Sequence, residues 1–245
     1  MKAVVFGAAG QVGRAVVRNL LSHGHSVRAF ERSAGAWQAW ENEDGPISEE
    51  VDCVYGDIVS FESVLTAVHG FDCVIHTAVY FPPSVNAMMP DYNAAGLQGG
   101  DDLSNEKIWL VNLKGLWNVL EASKQSEIQR VVHLGSSFSR HPDGVFMSSD
   151  VRRPDGSLYA VTKRLQEEMC RQYFDAHKLR TIVLRPDYIM DVELGIGRFK
   201  EELPGDICGE DGWVDRNDLA EAVHLCLTNA TAPDFDILHS EKVML

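Results

Sequence analysis

Two residues near the middle of the chain have the types and the spacing for proton transfer. Tyr159 and Lys163 stand four positions apart in the segment SLYAVTKRLQEE, residues 157–168. Because residues four apart share one face of a helix, the ammonium group can lie beside the phenol. A positive neighbour favours the phenolate and lowers a pKa that is about 10 in a free tyrosine. The pair predicts a tyrosine that moves protons, with an ordinary surface pair as the alternative.

A second motif, GAAGQVGRAVV, follows the first apolar run and suits a dinucleotide. Gly7 permits a tight turn, Gly10 lets the backbone approach a pyrophosphate, and Gly13 lets a helix pack closely on a sheet. That helix begins at Gln11 and Val12, and its free N–H groups and positive dipole end attract phosphate. The motif predicts how an acidic protein holds a phosphorylated cofactor.

The residues that follow the next two apolar runs indicate which cofactor it is. Glu31 ends the second run, 24 residues after Gly7, where a carboxylate accepts hydrogen bonds from ribose hydroxyls and repels a 2′-phosphate. This favours NAD, and NADP is the alternative if Arg32 receives the phosphate. Asp57 and Ile58, in YGDI, are predicted to meet the adenine, with a helix N-cap as the other role for the aspartate.

Regularly alternating elements must position these motifs. Short apolar runs predict buried strands at 2–6, 26–30, 51–55, 72–76, 129–134 and 180–184, and a last strand at 235–238. Helices are predicted over 11–22, 60–68, 104–126, 158–177 and 215–227. The alternation predicts an α/β protein with a doubly wound parallel sheet, the Rossmann fold, in which ligands bind beyond the carboxyl ends of the strands.

Two segments interrupt the alternation. Residues 79–103 form a long connection rich in Pro, Gly, Asn and Met, either a lid that contacts substrate or a mobile surface insertion. Residues 186–213 are predicted to be irregular and to supply the substrate contacts. We therefore expect an NAD(P)-binding core over 1–185 and a short substrate-binding portion over 186–245, whose last helix and strand return to the core.

Composition limits the partners. The 245 residues are 45% hydrophobic and carry a net charge of −14, which suits a one-domain globular protein and disfavours nucleic acid or an anionic membrane. No apolar run is long enough for a membrane span, so a soluble, cytoplasmic protein with a small-molecule substrate is expected. The five cysteines show no CxxC spacing and predict free, buried thiols. No metal site is predicted.

Together these motifs resemble the extended short-chain dehydrogenase/reductase family, also called the NAD-dependent epimerase/dehydratase family. The matching pieces occur in family order over residues 1 to about 225: GAAGQVG, GDI, DCVIHTA, NLKGLWNVLEA, VVHLGSS, YAVTK, LRP and WVDRNDLAEAV. The resemblance implies that Tyr159 is the acid/base, that Lys163 lowers its pKa and holds the nicotinamide ribose, and that Ser137 binds the reacting oxygen.

The resemblance also implies secondary roles. Asn112 matches an asparagine close to the active site, with a polar residue on a helix face as the alternative. His76 and Ala78 match strand-end residues that border the cofactor. The helices at 104–126 and 158–177 resemble those that pair between subunits, which implies a homodimer.

Departures from the family pattern narrow the reaction. Dehydratases carry an Asp-Glu pair where this chain has Phe138 and Ser139, so dehydration is disfavoured. The C-terminal region is short beside the lobe with which epimerases hold nucleotide sugars, so a small free substrate is expected. Uronate dehydrogenases look most similar, through GAAGQVGR, RPDG and YFD. Arg185 matches their carboxylate-binding arginine, although LRP is common in the family and its arginine can be structural.

The sequence therefore predicts an NAD-dependent oxidoreductase that oxidises a secondary alcohol or hemiacetal of a small sugar, sugar acid or polyol. An epimerase that retains its NAD is one alternative. A non-catalytic regulator that senses NAD(P) is the other, and its usual loss of the Tyr-Lys pair is not seen here.

Overall fold

The computed structural model describes residues 1–47, 51–80, 103–136, 158–198, 200–203 and 213–240. Its strands are β1 (Lys2–Phe6), β2 (Ser26–Glu31), β3 (Asp52–Tyr55), β4 (Cys73–His76), β5 (Arg130–Leu134), β6 (Thr181–Pro186), β7 (Tyr188–Met190), β8 (Trp213–Asp215) and β9 (Phe235–Ser240). Seven of them form one sheet in the order β3-β2-β1-β4-β5-β6-β9, and every pairing in it is parallel.

Helices cover both faces of this sheet. They are α1 (Gln11–Ser22), α2 (Glu41–Asp44), α3 (Phe61–Val68), α4 (Leu103–Ile108), α5 (Gly115–Gln125), α6 (Leu158–His177) and α7 (Arg216–Thr228), with a 3₁₀ helix at Ala34–Trp40 and a π-helical segment at Trp109–Lys114. α1 and α7 pack on one face, and α3, α5 and α6 pack on the other. The predicted doubly wound α/β fold is confirmed.

The first strand shows why continuous apolar runs were required. Ala3 and Val5 contribute to the core under α1 and α7, whereas Val4 and Phe6 contribute to the core under α3, α5 and α6. Because successive side chains of a strand point to opposite faces, a strand covered on both faces needs apolar residues at every position.

The segment after β6 is more ordered than the sequence predicted. β7 and β8 pair in parallel as a separate two-stranded sheet. Asp215 then begins α7, since its carboxylate accepts a hydrogen bond of 2.6 Å from the Asn217 N–H. Arg216 lies 2.5 Å from the Asp191 carboxylate. The interpretation of 186–213 as irregular was wrong for β7 and for the start of β8. A strand of three residues is too short to show a sequence pattern.

A buried ion cluster connects the helices on the α1 face. Asp44 at the end of α2 accepts from Arg14 Nε at 2.8 Å and from Arg18, both on α1, and from Arg216 Nη2 on α7 at 3.0 Å. Burial raises the pKa of Asp44, but the three guanidinium groups outweigh it and lower the pKa overall. The cluster ties α2 to α1 and α7.

Two further expectations concern thiols and membranes. Cys73, Cys170 and Cys226 are free and buried, as predicted, but Cys53 is exposed on the outermost strand β3 and corrects that prediction. Cys208 lies outside the described residues, as do residues 81–102 of the long connection.

Within the part of the chain that the structure describes, no helix has the length and apolar character to cross a bilayer.

Candidate active site

Two adjoining cavities form a cleft at the carboxyl edge of the sheet. Their volumes are about 310 and 350 Å³, and both are lined by Gly7, Gly10, Thr77 and Val79. The first extends towards β5 and α6, and the second towards the ends of β2 and β3. The cleft crosses the sheet between β1 and β4, where the chain reverses its direction of winding, which is where doubly wound sheets bind nucleotides.

The glycine turn between β1 and α1 fits a pyrophosphate. Gly7 has a φ of 79°, and a Cβ there would lie 2.6 Å from the Ala78 nitrogen. A Cβ on Gly13 would lie 2.1 Å from the Gly7 carbonyl oxygen. Gly10 differs, because a Cβ there would meet one neighbour, that same oxygen, at 3.4 Å. Since Gly10 lines both cavities, its missing side chain leaves room for a phosphate at the start of α1, whose first residues Gln11 and Val12 line the first cavity.

Glu31 lines the second cavity, and two backbone N–H groups hold its carboxylate in place. Its Oε1 accepts from the Ala9 N–H at 3.0 Å and its Oε2 from the Arg32 N–H at 3.1 Å, so the carboxylate is tied to the glycine turn. Burial raises the pKa of Glu31, and these two hydrogen bonds oppose the rise. The other predicted residues on this wall are Arg32, Asp57, Ile58 and Ala78. The Asp57 carboxylate accepts from the Val59 N–H at 2.9 Å, whereas Ser60 caps α3, so the N-cap alternative for Asp57 does not hold.

Tyr159 and Lys163 lie in the first turns of α6 and both line the first cavity. The Lys163 ammonium donates to the Leu134 carbonyl at 2.7 Å and lies 5.9 Å from the Tyr159 ring centroid. Burial raises the pKa of Tyr159, but the positive charges of Lys163 and Arg198 and hydrogen bonds from Ser136 and Arg198 lower it overall. Burial lowers the pKa of Lys163. The arrangement favours the phenolate more than in a free tyrosine.

Sequence reasoning gave no role to two residues that interact with Tyr159 in this cavity. Arg198 follows β7, lines the cavity and interacts with the Tyr159 hydroxyl, while its backbone N–H donates to Tyr188 Oη at 3.2 Å. No motif marked it, although it is a cation in the segment expected to contact substrate. Ser136 also meets Tyr159. Ser137, which the family resemblance had favoured, lies outside the described residues.

Two predicted residues lie behind the cleft instead of lining it. His76 is fully buried, with its Nδ1 3.0 Å from Nδ1 of His133, and burial lowers its pKa to about 3. Asn112 is also fully buried, and its Oδ1 accepts from the Tyr80 N–H at 2.8 Å. Because the side chains of a strand alternate between its faces, His76 points into the core while Thr77 reaches the cleft. Asn112 instead fixes Tyr80, which lines the second cavity.

Arg185 is likewise part of the scaffold. It is 1% exposed, its Nε donates to Glu167 Oε1 at 2.7 Å, and its Nη2 donates to Glu167 Oε2 at 2.6 Å. It lines neither of the two cavities. The expectation that Arg185 holds a substrate carboxylate is corrected, because a carboxylate of the protein already occupies its fork.

Comparisons with known proteins identify the family of this chain. A family model described as NAD(P)H-binding matches residues 7–230. A 3-beta-hydroxysteroid dehydrogenase of Mycolicibacterium neoaurum is 28% identical over 195 residues, which cover 77% of this chain and 47% of that protein. The chain thus spans about half the length of this curated relative. A uronate dehydrogenase of Pseudomonas putida is 26% identical over 187 residues, covering 73% of this chain and 58% of that protein.

A solved structure supports the fold. The UDP-glucose 4-epimerase of Thermus thermophilus, crystallised with NAD, superimposes with a TM-score of 0.72. The match covers 99% of this chain and 78% of that chain, at 22% sequence identity. At this identity the likeness speaks for the architecture alone.

Proposed function

The chain belongs to the NAD(P)H-binding family, and on that premise we propose that it is an NAD-dependent oxidoreductase of the extended short-chain dehydrogenase/reductase type. Its substrate is a secondary alcohol or hemiacetal of a small sugar, sugar acid or polyol. One observation carries the proposal: a buried tyrosine, Tyr159, with a lowered pKa beside Lys163 in the cleft. A tyrosine in a cleft whose pKa is shifted by specific neighbouring charges is a common mark of a functional site.

The two cavities suit the two halves of the cofactor. The second cavity would hold the adenosine half, with Glu31 accepting from the ribose hydroxyls. Gly10 and the start of α1 would hold the pyrophosphate, and the first cavity, with Lys163, would hold the nicotinamide half. NAD is the proposed form, since the Glu31 carboxylate repels the 2′-phosphate of NADP.

Tyr159 is the proposed base. As a phenolate it takes the proton of the substrate hydroxyl, while the hydride on the same carbon leaves and the C–O bond becomes a carbonyl. The bound nicotinamide supplies the hydride acceptor. Lys163, whose position the Leu134 carbonyl fixes, stabilises the phenolate. Ser136 supports Tyr159, and Ser137 is the proposed donor to the reacting oxygen.

Arg198 is the proposed contact for an acid group on the substrate. It takes the role that Arg185 was expected to play, because its guanidinium lines the cavity that holds Tyr159. A guanidinium binds a carboxylate through two parallel hydrogen bonds. The likeness to a uronate dehydrogenase supports a sugar acid among the candidate substrates. In this view residues 186–245 supply substrate contacts and 1–185 hold the cofactor.

We also propose a homodimer. The π-helical segment, α5 and α6 expose large apolar side chains, namely Trp109, Leu110, Trp117 and Leu165. Burial of such side chains is what drives subunit association. Light scattering during size-exclusion chromatography should give twice the mass of the chain, and Leu165→Glu should shift the protein towards the monomer.

The proposal is tested by NADH absorbance with purified protein, NAD and panels of uronates, neutral sugars, polyols and simple secondary alcohols. A 3β-hydroxysteroid belongs in the screen, because a steroid dehydrogenase is among the relatives. Net NADH formation that Tyr159→Phe abolishes supports a dehydrogenase. Tightly retained cofactor without net NADH would indicate an epimerase. Cofactor binding with no turnover on any panel would indicate a regulator and would overturn the proposal.

A further inference from the structure

At the amino edge of the sheet, opposite the cleft, imidazole rings of two elements come together. His23 follows the last turn of α1, and His224 lies on α7, which packs against α1. Their rings stack with centroids 3.9 Å apart. Glu221, one turn before His224 on the same face of α7, has its Oε2 3.9 Å from Nε2 of His23. No part of the proposed reaction uses these residues.

From this cluster we propose a binding site for a divalent transition-metal ion of the zinc type, formed by His23, Glu221 and His224. One ligand atom from each residue lies within 4.8 Å of the other two. Around a tetrahedral zinc ion, ligand atoms lie roughly 3.4 Å apart, since zinc–ligand bonds measure about 2.0–2.2 Å. To bind one ion, the two stacked rings have to rotate out of parallel, which turns their in-plane lone pairs towards a common point and closes this difference.

The neighbouring groups prepare the ligands. Nδ1 of His23 lies 2.9 Å from the Asn19 carbonyl oxygen, to which it donates its proton, so the lone pair of Nε2 faces Glu221. The Asn19 amide also donates to Glu221 Oε2 at 2.9 Å and orients that carboxylate. A hydrogen bond from the second ring nitrogen is what fixes metal-binding histidines elsewhere, and a hydrogen-bonded carboxylate is similarly oriented.

His224 adds a nitrogen that needs a partner. Its Nδ1 is buried and has no hydrogen-bond partner among the described residues. Two imidazoles and one carboxylate suit zinc, whereas calcium and magnesium prefer oxygen ligands.

Metal at this site would join the turn between α1 and β2 to α7. Free energy of binding to the folded chain then adds to stability, because the unfolded chain does not hold the three ligands together. The site is therefore expected to be structural, and it is independent of the proposed oxidoreductase activity.

The test uses full-length protein stripped of metal with a chelator and titrated with Zn²⁺ against a chromophoric competitor. We expect one equivalent to bind and thermal unfolding to move to a higher temperature. Loss of a group that only hydrogen-bonds a metal ligand weakens metal binding by roughly 10–100-fold. His224→Ala and Glu221→Gln each remove a ligand, so each should weaken Zn²⁺ binding by more than this and should remove the thermal shift. Circular dichroism of each metal-free variant verifies its fold, and Glu221→Gln preserves shape if His224→Ala does not fold.

His69→Ala is the matched control, since His69 is an exposed histidine that follows helix α3 as His23 follows α1. That variant should bind Zn²⁺ like the original chain. The proposal is overturned if the original chain binds no stoichiometric Zn²⁺, or if the His69 variant loses as much affinity as the ligand variants.

Discussion

Two arginines only 13 residues apart in the chain, Arg185 and Arg198, differ in their surroundings. Arg185, next to the last residue of β6, lies behind the cleft and is held by both carboxylate oxygens of Glu167. Arg198, after β7, is half-buried in the cleft and lies against the hydroxyl of Tyr159. A carboxylate of the protein compensates the first charge, whereas the second acts on an ionisable hydroxyl.

The difference shows how the surroundings decide what a buried charge does. A charge that is paired in the interior gives structure but does not drive chemistry, and removing one partner leaves the other uncompensated. A charge placed near a titratable hydroxyl shifts its pKa, which is a common mark of functional sites. The first four predictions test whether the two arginines, and the groups beside them, differ in this way, and the last concerns the other end of the cleft.

The largest difference between the two arginines is expected in the free energy of unfolding of their methionine variants. Arg185→Met leaves Glu167 as an uncompensated buried charge and should lower the free energy of unfolding by about 3–5 kcal/mol. Arg198→Met, the matched change in the cleft, should cost about 1 kcal/mol or less. Urea denaturation measures both. The double variant Arg185→Met/Glu167→Leu should recover most of the loss, and equal losses for the two single variants would contradict the comparison.

The tyrosine beside Arg198 should dominate turnover. Tyr159→Phe removes the titrating oxygen and keeps the ring, so turnover should fall by about 10² or more. Fluorescence titration should find NAD affinity almost unchanged, because the phenol is not needed to hold the pyrophosphate. Turnover close to that of the original chain would exclude Tyr159 as the base.

Arg198 should affect substrates according to their charge. A charge-assisted hydrogen bond contributes about 1.5–3 kcal/mol, so Arg198→Met should raise KM for a uronate by roughly tenfold or more. KM for the matching neutral sugar should change little. Both substrates are assayed on the same variant, and equal effects on both would mean that Arg198 does not contact the acid group.

The pH profile gives a second test of Arg198. Oxidation needs the phenolate, so kcat/KM rises with pH through the pKa of Tyr159. Lys163 and Arg198 lower that pKa against the effect of burial, so removing Arg198 should move the rising limb to higher pH. A neutral substrate is used here to keep binding out of the measurement. An unchanged profile would show that Arg198 does not tune the tyrosine.

The smallest effect is expected at the far end of the cleft. Glu31→Ala removes a carboxylate that repels a 2′-phosphate, which should narrow the preference for NAD over NADP by roughly fivefold, since such a charge pair is worth about 1 kcal/mol. Glu31→Gln is the control that keeps the size of the side chain and removes its charge, and its single amide oxygen can accept from only one of the Ala9 and Arg32 N–H groups. A preference for NADP in the original chain would show that Arg32 governs this end.

The sequence alone determined the order and type of most elements. The predicted bounds of the helices at 11–22 and 158–177 coincide with α1 and α6, and the family resemblance was confirmed. Hydrophobic periodicity is a local property, and so are the steric needs of Gly7 and Gly13. These features can therefore be predicted from the sequence. The short strand β7 and the π-helical segment before α5 could not be predicted, because each spans too few residues to show a pattern.

Tertiary structure alone decided which polar side chains face the cleft. The LRP motif predicted Arg185 as a carboxylate-binding residue, yet Glu167 on α6 binds it. No local sequence pattern predicts a partner 18 residues away. Arg198 belongs to no motif and still lies beside Tyr159. The physical reason is that pairing of charges depends on distances across packed elements, whereas helices and strands depend on neighbours along the chain.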